Sequence, residues 1–413
     1  MDTNVKTVSV IGLGYVGLPT AAILASRGFD VIGVDVNEHA VRTINDGKVH
    51  IVEPDLDILV QASVTMGRLK ATTEAQAADV FMLAVPTPFK DDKQPDLAYL
   101  EAATRSIAPV IKKGDMVILE STSPVGTTAA ISSWLSEMRP DLAFPHQSKT
   151  PDVNLAHCPE RILPGHVLRE LVENDRIIGG ITHECSEKAE AFYRTFVTGE
   201  CILTNARTAE LAKLVENSYR DVNIAFANEL SVICDGLDID VWELINLTNR
   251  HPRVNILQPG PGVGGHCIAV DPWFIVAQNP EDARLIRTAR EVNDAKPHFV
   301  IDKVLAAADR FKAPKVACFG LTYKADIDDL RESPALDIVK LLSSKLDGEV
   351  IAVEPNISKL PASLENAGNI SLMDSGDALD QADIAVFLVA HRQFKDIAPA
   401  ALDSKVVIRT IKS

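Results

Sequence analysis

Val8-Ser-Val-Ile-Gly-Leu-Gly-Tyr-Val-Gly-Leu-Pro19 lies close to the start of the 413-residue sequence. An apolar, β-branched run leads into three glycines, and the residues that follow, Thr20 to Arg27, are compatible with a helix. In a dinucleotide-binding loop, Gly12 makes the tight turn, Gly14 lets the backbone approach a pyrophosphate, and Gly17 lets helix and strand pack closely. The N-terminus of the helix offers free N–H groups and the positive end of its dipole to the phosphates. This stretch therefore predicts a strand, turn and helix that bind a dinucleotide.

The next apolar run, Val31-Ile-Gly-Val-Asp35, ends in an acidic residue 18 positions after Gly17. A carboxylate at this place accepts hydrogen bonds from a ribose 2′-hydroxyl and repels a 2′-phosphate, which favours NAD over NADP. A glycine motif alone is weak evidence, because a glycine turn needs no ligand. Strand, glycines, helix, strand and acid in this order indicate an NAD-binding domain of the Rossmann type.

The composition is that of a soluble globular protein. Hydrophobic residues make up 46% of the chain, and no apolar run approaches the ~20 residues that span a bilayer. The formal charge of −16 disfavours nucleic acids and anionic membranes as partners. The first strand begins almost at once, which leaves no room for a signal peptide. The six cysteines lack CxxC or metal-finger spacing, which predicts reduced thiols, no metal site and a cytoplasmic protein. They stand at positions 158, 185, 201, 234, 267 and 318.

Short apolar runs alternate with helical patterns in the first half of the chain and again from about residue 315. This alternation predicts an α/β protein with two Rossmann-like, doubly wound parallel sheets. Residues 207–250 read as helix throughout, interrupted only by Gly236, and so long a helix is expected to join domains or form a dimer seam. Because the last part lacks a Gly-x-Gly-x-x-Gly motif, we expect it to bind something other than a second dinucleotide, or nothing. The expected domains are 1–205, 206–305 and 306–413.

The stretch Gly260-Pro-Gly-Val-Gly-Gly-His-Cys-Ile-Ala-Val-Asp271 is the second informative motif. It places one thiol, Cys267, after four glycines and four residues before a carboxylate. Glycines tolerate positive φ and let a ligand approach closely. A cysteine in such a loop can be a spectator, but the density of glycines favours a thiol that faces a ligand.

The predicted long helix carries a third constellation, Lys213, Asn217 and Arg220. Spacings of four and three residues place all three on one stripe of a helix. A lysine, an amide and an arginine on one face suit a site where a proton moves and an oxyanion needs donors. The alternative is a solvated charged stripe that pairs with Glu210 and Glu216.

Weaker candidate residues follow predicted strands or stand near the glycine run. Ligands bind at the carboxyl ends of strands in open α/β sheets, but ordinary turn chemistry is an equal alternative there. For the charged residues the alternative is simple ion pairing. These candidates are Thr87 and Thr122 after strands, Glu160 with Arg161, His251 and Arg253 before the glycine run, and Lys324 with Arg331 around Asp326–Asp329.

Together these motifs resemble those of the UDP-glucose/GDP-mannose dehydrogenase family over essentially the whole chain. One segment departs from the pattern, because members acting on UDP-glucose usually carry Asn-Pro-Glu-Phe where this chain has Cys158-Pro-Glu-Arg161-Ile-Leu-Pro-Gly165. That segment, His251–Gly260 and Asp271-Pro-Trp-Phe274 resemble the N-acetylhexosamine branch of the family. The match otherwise runs through Gly12–Gly17, Glu120-Ser-Thr122, Glu160, Lys213–Arg220, Gly264–Asp271, Lys324 and Asp329–Pro334.

The resemblance implies an NAD-dependent enzyme that oxidises UDP-N-acetyl-D-mannosamine at C6, with Cys267 as the nucleophile. It implies that Lys213 and Asn217 stabilise the alkoxide and oxyanions, and that Asp271, Thr122 and Glu160 organise the hydrolytic water. The implied cofactor contacts are Gly12, Gly14, Tyr15, Val16, Gly17, Asp35, Thr87 and Thr122, while Arg331 is expected to face either cofactor or substrate. The implied substrate contacts are Arg161, Ile162, Lys213, Asn217, Arg220, His251, Arg253, Gly264, Tyr323 and Lys324.

The family's chemistry explains the need for a thiol. Oxidation of an alcohol to an acid requires two hydride transfers, and the intermediate aldehyde gives the second hydride only after a nucleophile has added to it. The alternatives are a two-electron dehydrogenase of the hydroxyacid kind, which needs no thiol, a relative acting on UDP-N-acetylglucosamine or UDP-glucose, and a non-catalytic NAD sensor. The resemblance also implies a homodimer through the long helix and a role in surface polysaccharide synthesis.

Overall fold

The computed structural model describes residues 5–90, 92–162, 165–265, 267–365 and 367–412. The chain forms two compact units, Met1–Val215 and Glu216–Ser413, and the boundary between them falls inside one long helix, Ala206–Gly236. Each unit contains a Rossmann-like sheet with helices, as predicted. The division into three domains stays a prediction.

An eight-stranded sheet forms the centre of the first unit. Its strands are β1 (Thr7–Ile11), β2 (Asp30–Val34), β3 (Leu69–Thr72), β4 (Val80–Leu83), β5 (Met116–Leu119), β6 (Asn154–His157), β7 (Arg176–Gly180) and β8 (Cys201–Asn205). They pair in the order β3-β2-β1-β4-β5-β6-β7-β8, so the order reverses between β1 and β4. The carboxyl ends of β1 and β4 therefore form the crevice at which open α/β sheets bind ligands.

Helices pack on this sheet and bury both of its faces. Alternate residues of β4 enter two cores, because successive side chains of a strand point to opposite faces: Val80 and Met82 lie in one core, Phe81 and Leu83 in the other. The helices are α1 (Gly17–Ser26), α2 (Glu38–Asn45), α3 (Leu56–Thr65), α4 (Ala98–Ile107), α5 (Thr127–Met138), α6 (Val167–Glu173) and α7 (His183–Tyr193).

The prediction that all strands of this sheet are parallel is wrong at one end of the sheet. Strand β7 runs antiparallel to β6, with Ala156 opposite Gly180, and β8 runs parallel to β7. The prediction failed because a buried apolar run shows that both faces of a strand are covered, but not in which direction the strand runs.

The predicted helix over 207–250 is two helices, α8 (Ala206–Gly236) and α9 (Val241–Thr248). Gly236 ends the first helix, and Asp238 then adopts a left-handed conformation with φ of 56°. The Asp240 carboxylate accepts hydrogen bonds from the amides of Trp242 and Glu243 and so caps the second helix. The prediction of a continuous helix is therefore wrong over 237–240, and Asp240, an N-cap residue, is the sequence signal for the break.

The second unit contains a five-stranded parallel sheet with the order β11-β10-β9-β12-β13. Its strands are β9 (Lys315–Phe319), β10 (Glu349–Val353), β11 (Ile370–Leu372), β12 (Ile384–Phe387) and β13 (Val406–Arg409), and its further helices are α10 (Asp271–Gln278), α11 (Arg284–Ala308), α12 (Pro334–Lys345) and α13 (Ser375–Gln381). Strand β11 has only three residues, all partly buried, too few to form a pattern in the sequence. This sheet also reverses its order, between β9 and β12.

Across the described part of the chain, no helix combines the length and the apolar character that crossing a membrane requires.

Candidate active site

The glycine loop after β1 has the geometry of a nucleotide cradle. A Cβ atom at Gly12 would lie 2.5 Å from the carbonyl oxygen of Ala84, and one at Gly17 would lie 1.8 Å from the carbonyl oxygen of Gly12. A Cβ atom at Gly14 would meet no atom within 4 Å among the residues that the structure describes. Gly12 and Gly17 are thus required by packing, whereas Gly14 faces open space that a ligand can occupy.

Asp35, after β2, is fixed beside this loop. One of its carboxylate oxygens accepts the amide of Leu13 at 2.9 Å, and the other accepts the amide of Asn37 at 2.8 Å. Since a carboxylate has about four acceptor sites, the half-buried Asp35 keeps capacity for a ribose hydroxyl. Val16 forms the N-cap position of α1, and Tyr15 packs against the core below the loop. These residues fit NAD.

Thr87 and Thr122, predicted to contact the cofactor, are hydrogen-bonded to each other. The Thr87 hydroxyl donates to the backbone carbonyl of Thr122, and the neighbouring Ser121 hydroxyl donates to the carbonyl of Val85 at 2.7 Å. Both threonines follow adjacent strands, β4 and β5. They therefore lie at the carboxyl edge of the sheet, as the sequence predicts.

Glu210 has a structural role that the sequence did not reveal. The alternative interpretation placed it in a solvated stripe, but its carboxylate is buried and accepts the amides of Gly126 at 2.6 Å and Thr128 at 2.7 Å. The Thr128 hydroxyl donates to the same carboxylate at 2.6 Å. Glu210 thereby caps α5 and fixes the loop that carries Thr122.

Lys213 and Glu160, both predicted to be catalytic, lie together in the first unit. The Lys213 ammonium is 3.6 Å from the Glu160 carboxylate, and both side chains are largely buried, with 9% and 12% exposed. The amide of Ile162 donates to the second oxygen of Glu160 at 2.9 Å. A lysine and a carboxylate at this distance can pass a proton or orient a water molecule.

The segment around Arg161 is held on both sides. Its guanidinium donates to the carbonyl of Asp175 at 3.2 Å, and Asn174 donates to the carbonyl of Arg161 at 2.6 Å. Beyond it, Glu53 accepts the amides of Gly165 at 2.9 Å and Val167 at 2.8 Å. Leu163 and Pro164 of the predicted motif lie outside the described residues.

A buried polar cluster lies behind this edge of the sheet. The Tyr193 hydroxyl donates to Glu120 at 3.0 Å, and Arg176 is fully buried nearby in the same core. Burial raises the pKa of Glu120 to about 7, against the opposing effects of Arg176 and Tyr193. The sequence offered only the position of Glu120 at a strand end as a signal.

In the second unit the structure brings Asn217 and Asp271 together. The Asn217 amide donates to the Asp271 carboxylate at 2.5 Å, and Asp271 is buried at the start of α10. The amide of Asp271 donates to the carbonyl of Cys267 at 2.9 Å, so the spacing of four residues forms one turn. Cys267 is half-buried, while the other five cysteines are buried. Burial raises the pKa of Cys158 and of Cys318 to about 12, which leaves both thiols protonated and inert.

The glycine run before Cys267 is explained partly by packing rather than by ligand approach. A Cβ atom at Gly264 would lie 2.4 Å from the carbonyl oxygen of Glu332 and 2.6 Å from Pro334. Gly265 has φ of 80°, and its amide donates to the carbonyl of Glu332 at 3.2 Å. Tyr323 packs against both glycines, so two predicted substrate residues, Gly264 and Tyr323, are neighbours. His266 lies outside the described residues.

A buried network between α8 and α11 supports the start of the glycine run. The side-chain oxygen of Asn228 accepts the backbone amide of Gly260 at 2.8 Å, and the side-chain NH2 of Asn228 donates to the side-chain oxygen of Asn293 at 2.8 Å. Asn293 in turn donates to Asp221 at 2.8 Å, and Arg290 donates to the same carboxylate at 2.6 Å. No sequence pattern distinguished these residues from ordinary helical polar positions.

The remaining predicted substrate residues are exposed. Arg220 lies on α8, and His251 and Arg253 lie in the turn after α9. Lys324 is exposed, and Arg331 pairs with Asp329 at 2.7 Å, which matches the ion-pair interpretation of that segment. Contacts of these side chains with a ligand stay predictions. Within the described residues, no cluster of three or more histidine, cysteine or acidic side chains is suited to hold a metal ion.

A doubly wound sheet with a glycine cradle at its switch point and an acid after β2 defines an NAD-binding Rossmann protein. Three family models match the chain, described as the NAD binding domain (residues 6–197), the central domain (207–295) and the UDP binding domain (317–412) of the UDP-glucose/GDP-mannose dehydrogenase family. The chain belongs to the UDP-glucose/GDP-mannose dehydrogenase family. Its cofactor is NAD, and its substrate is a UDP-sugar.

Curated relatives cover almost the whole chain. An NDP-N-acetyl-D-galactosaminuronic acid dehydrogenase of Ralstonia nicotianae is 64% identical, over 99% of this chain and 96% of its own length. A UDP-N-acetyl-D-mannosamine dehydrogenase of Escherichia coli is 62% identical, over 95% of each chain. Among solved structures, the UDP-N-acetyl-mannosamine dehydrogenase of Staphylococcus aureus has a TM-score of 0.87 at 42% identity, covering 99% of this chain and 96% of that one.

Proposed function

We propose that this chain oxidises UDP-N-acetyl-D-mannosamine at C6 to UDP-N-acetyl-D-mannosaminuronate in a four-electron reaction. The observation that carries the proposal is the half-buried Cys267, whose turn leads directly into the Asn217–Asp271 pair. A two-electron dehydrogenase has no use for a thiol at this place. The choice of this sugar rests on relatives named UDP-N-acetyl-D-mannosamine dehydrogenase, which are 60–62% identical to this chain.

In the proposed mechanism, Gly12–Gly17 and Asp35 would hold NAD, which would supply the hydride acceptor, and the two oxidations would consume two molecules of NAD in turn. Lys213, held by Glu160, takes up the proton of the C6 alcohol or stabilises the alkoxide. The Cys267 thiolate adds to C6 of the aldehyde, and a carbon–sulfur bond forms, giving a thiohemiacetal. The second oxidation converts this species into a thioester.

Hydrolysis then returns the free enzyme. Asp271, together with Thr122 and Glu160, orients and deprotonates a water molecule that attacks the thioester carbon. The carbon–sulfur bond breaks, and the products are the uronate and the Cys267 thiol. Asn217 donates a hydrogen bond to Asp271 at 2.5 Å, which orients this carboxylate. An amide and an ammonium group also stabilise the oxyanion of each tetrahedral species.

Two measurements test the reaction. NADH is counted per molecule of UDP-N-acetyl-D-mannosamine consumed. Two molecules of NADH are expected, and a count of one would contradict the proposal and indicate a two-electron dehydrogenase. Cys267→Ala is expected to abolish uronate formation while its Kd for NAD stays at the wild-type value. Cys318→Ala is a matched control, because that thiol is buried in the core of the second unit and its substitution should leave the NADH count unchanged.

A second sugar has its own support. Two relatives at 63–64% identity are named NDP-N-acetyl-D-galactosaminuronic acid dehydrogenase. A panel of UDP-N-acetyl-D-mannosamine, UDP-N-acetyl-D-galactosamine, UDP-N-acetyl-D-glucosamine and UDP-glucose distinguishes these substrates by kcat/KM. We expect the first to give the highest value, and a tenfold preference for another sugar would contradict the proposal.

The proposal extends to the assembly and its setting. A homodimer through α8 is supported by an apolar stripe of exposed side chains on that helix, Tyr219, Phe226 and Ile233, spaced by seven residues. Arg253, exposed in the turn after α9, is proposed to reach the site of the neighbouring subunit. We place the enzyme in the cytoplasm, where its uronate product enters surface polysaccharide synthesis.

A further inference from the structure

The second sheet repeats one feature of the NAD-binding sheet. Glu354 directly follows β10, which pairs with β9 as β2 pairs with β1. Its carboxylate accepts the amide of Leu321, in the loop after β9, at 2.8 Å, just as Asp35 accepts the amide of Leu13. The sequence carried the signal, since Val350-Ile-Ala-Val-Glu354 repeats the apolar run and terminal acid of Val31–Asp35.

Unlike Asp35, Glu354 is saturated by the protein itself. One oxygen accepts the amides of Leu321 and Thr322 and lies 3.0 Å from His391 Nε2. The other accepts the backbone and side-chain amides of Asn356 at 3.0 and 2.9 Å. Five donors on two buried oxygens leave no acceptor for a ribose hydroxyl. The place that binds a cofactor in the first sheet is therefore filled here by an internal network.

His391 extends this network to the loop after β9. The amide of Asp326 donates to His391 Nδ1 at 2.9 Å, so this nitrogen carries no proton, and Nε2 is the donor to Glu354. The imidazole is fully buried. His391 thus joins the end of β12 to the end of β10 and to Asp326 at the same time.

The loop that His391 holds, Leu321–Ser333, is strained and contacts the cysteine loop. Asp326 and Glu332 have φ of 62° and 49°, a region that costs free energy for residues other than glycine and persists only where neighbours enforce it. This loop carries Tyr323 and Lys324. Through the carbonyl of Glu332 it also binds the amide of Gly265, two residues before Cys267.

We infer that His391 and Glu354 are positioning residues for substrate binding, because they hold the loop Leu321–Ser333 in the conformation that presents Tyr323 and Lys324 and supports the cysteine loop. The inference rests on the proposed function and on the predicted contacts of Tyr323 and Lys324 with the nucleotide sugar. Neither His391 nor Glu354 touches the substrate in this account. Their effect passes through the amide of Asp326 and the amides of Leu321 and Thr322.

Two substitutions of one residue separate the two halves of the network. His391→Gln keeps a donor for Glu354 but loses the acceptor for Asp326, whereas His391→Asn keeps an acceptor near Nδ1. His391→Gln is expected to raise the KM for UDP-N-acetyl-D-mannosamine about tenfold, the effect of one lost buried hydrogen bond. The KM for NAD should change by less than about twofold, and His391→Asn should lie nearer to wild type.

An unchanged sugar KM in folded His391→Gln, or equal rises in the KM values for sugar and NAD, would overturn the inference. If His391→Gln does not fold, Asn356→Ala decides, because this partly buried amide contributes to the same carboxylate and should raise the sugar KM in the same direction. The NADH count of the wild-type enzyme tests the proposed function separately, because one NADH per sugar would contradict that function whatever the KM values of the variants.

Discussion

The three glycines of the nucleotide loop differ in what a methyl group would meet, and this difference separates folding from cofactor binding. Gly14→Ala adds a methyl group to open space, so the protein should fold with a Tm close to wild type. The same methyl group occupies the path of the pyrophosphate, and the Kd for NAD should rise about tenfold, equivalent to about 1.4 kcal/mol. Thermal unfolding and calorimetric titration with NAD measure the two effects.

Gly17→Ala is the matched comparison. Its methyl group would lie 1.8 Å from the carbonyl oxygen of Gly12, so α1 must move away from the loop. We expect a loss of several kcal/mol in the free energy of unfolding or no folded protein. Normal stability of Gly17→Ala, or normal NAD affinity of Gly14→Ala, would show that the loop does not work as described.

Glu120 makes the stability of the first unit depend on pH. Its folded-state pKa is raised to about 7 from 4.5, so the folded protein holds a proton that the unfolded chain releases. The contribution of Glu120 to stability is therefore fully present below pH 4.5 and is lost as the pH rises to 7. Relative to Glu120→Gln, which does not titrate, the wild-type free energy of unfolding should fall by up to about 3 kcal/mol across this window.

Urea unfolding of the wild type and Glu120→Gln at pH 5, 6, 7 and 8 measures this difference. The two profiles should diverge between pH 5 and 7 and run parallel above it. Parallel profiles throughout would mean that Glu120 is ionised in the folded protein at pH 5, as it would be if Arg176 dominated its surroundings.

At the scale of elements, the first turn of α5 depends on a residue of α8. Glu210→Gln replaces one carboxylate oxygen by an amide that cannot accept, so at least one of three donors loses its buried partner. We expect a loss of about 1–3 kcal/mol in the free energy of unfolding. Glu229→Gln is the control, because Glu229 is exposed on the same helix and its substitution should change stability by less than about 0.5 kcal/mol.

If Glu210 only stabilised α5 locally, Glu210→Gln would lower the free energy of unfolding without changing the binding of NAD. Because Glu210 also fixes the loop that carries Thr122, Glu210→Gln should raise the KM for NAD as well. Unfolding curves and steady-state kinetics of both variants, measured side by side, decide the point. Equal stability of the two variants would contradict the capping role.

Elements whose residues repeat a known local pattern could be predicted from the sequence. The glycine loop, Asp35 and the turn from Cys267 to Asp271 follow from short spacings, because backbone geometry places such residues together. Partners distant in the chain could not be predicted. Glu120 and Tyr193, or Asn228 and Gly260, meet only through tertiary packing. The prediction of parallel pairing was wrong for β7 for the same reason, because strand pairing depends on residues distant in the chain.

At the scale of the whole molecule, the chemistry is divided along the chain. The NAD cradle, Thr122, Glu160 and Lys213 belong to the first unit, and Asn217, Cys267 and Asp271 to the second. Helix α8 contains a predicted catalytic residue on each side of the unit boundary, Lys213 and Asn217, one helical turn apart in sequence. The reaction that we propose therefore assigns roles to side chains of both units.

The exposed stripe of α8 leads to a prediction about assembly. Tyr219, Phe226 and Ile233 are 72%, 54% and 47% exposed, which is unusual for large apolar side chains at heptad spacing. A second copy of the same helix would bury them. Phe226→Glu places a charge in that seam and should convert the proposed dimer into a monomer in analytical ultracentrifugation. Lys312→Glu changes an exposed residue outside the stripe and should leave the sedimentation coefficient unaltered.

If Arg253 completes the neighbouring site, the Phe226→Glu monomer should also lose turnover while it still binds NAD. A monomeric wild type, or a dimer that survives Phe226→Glu, would show that this stripe serves another purpose.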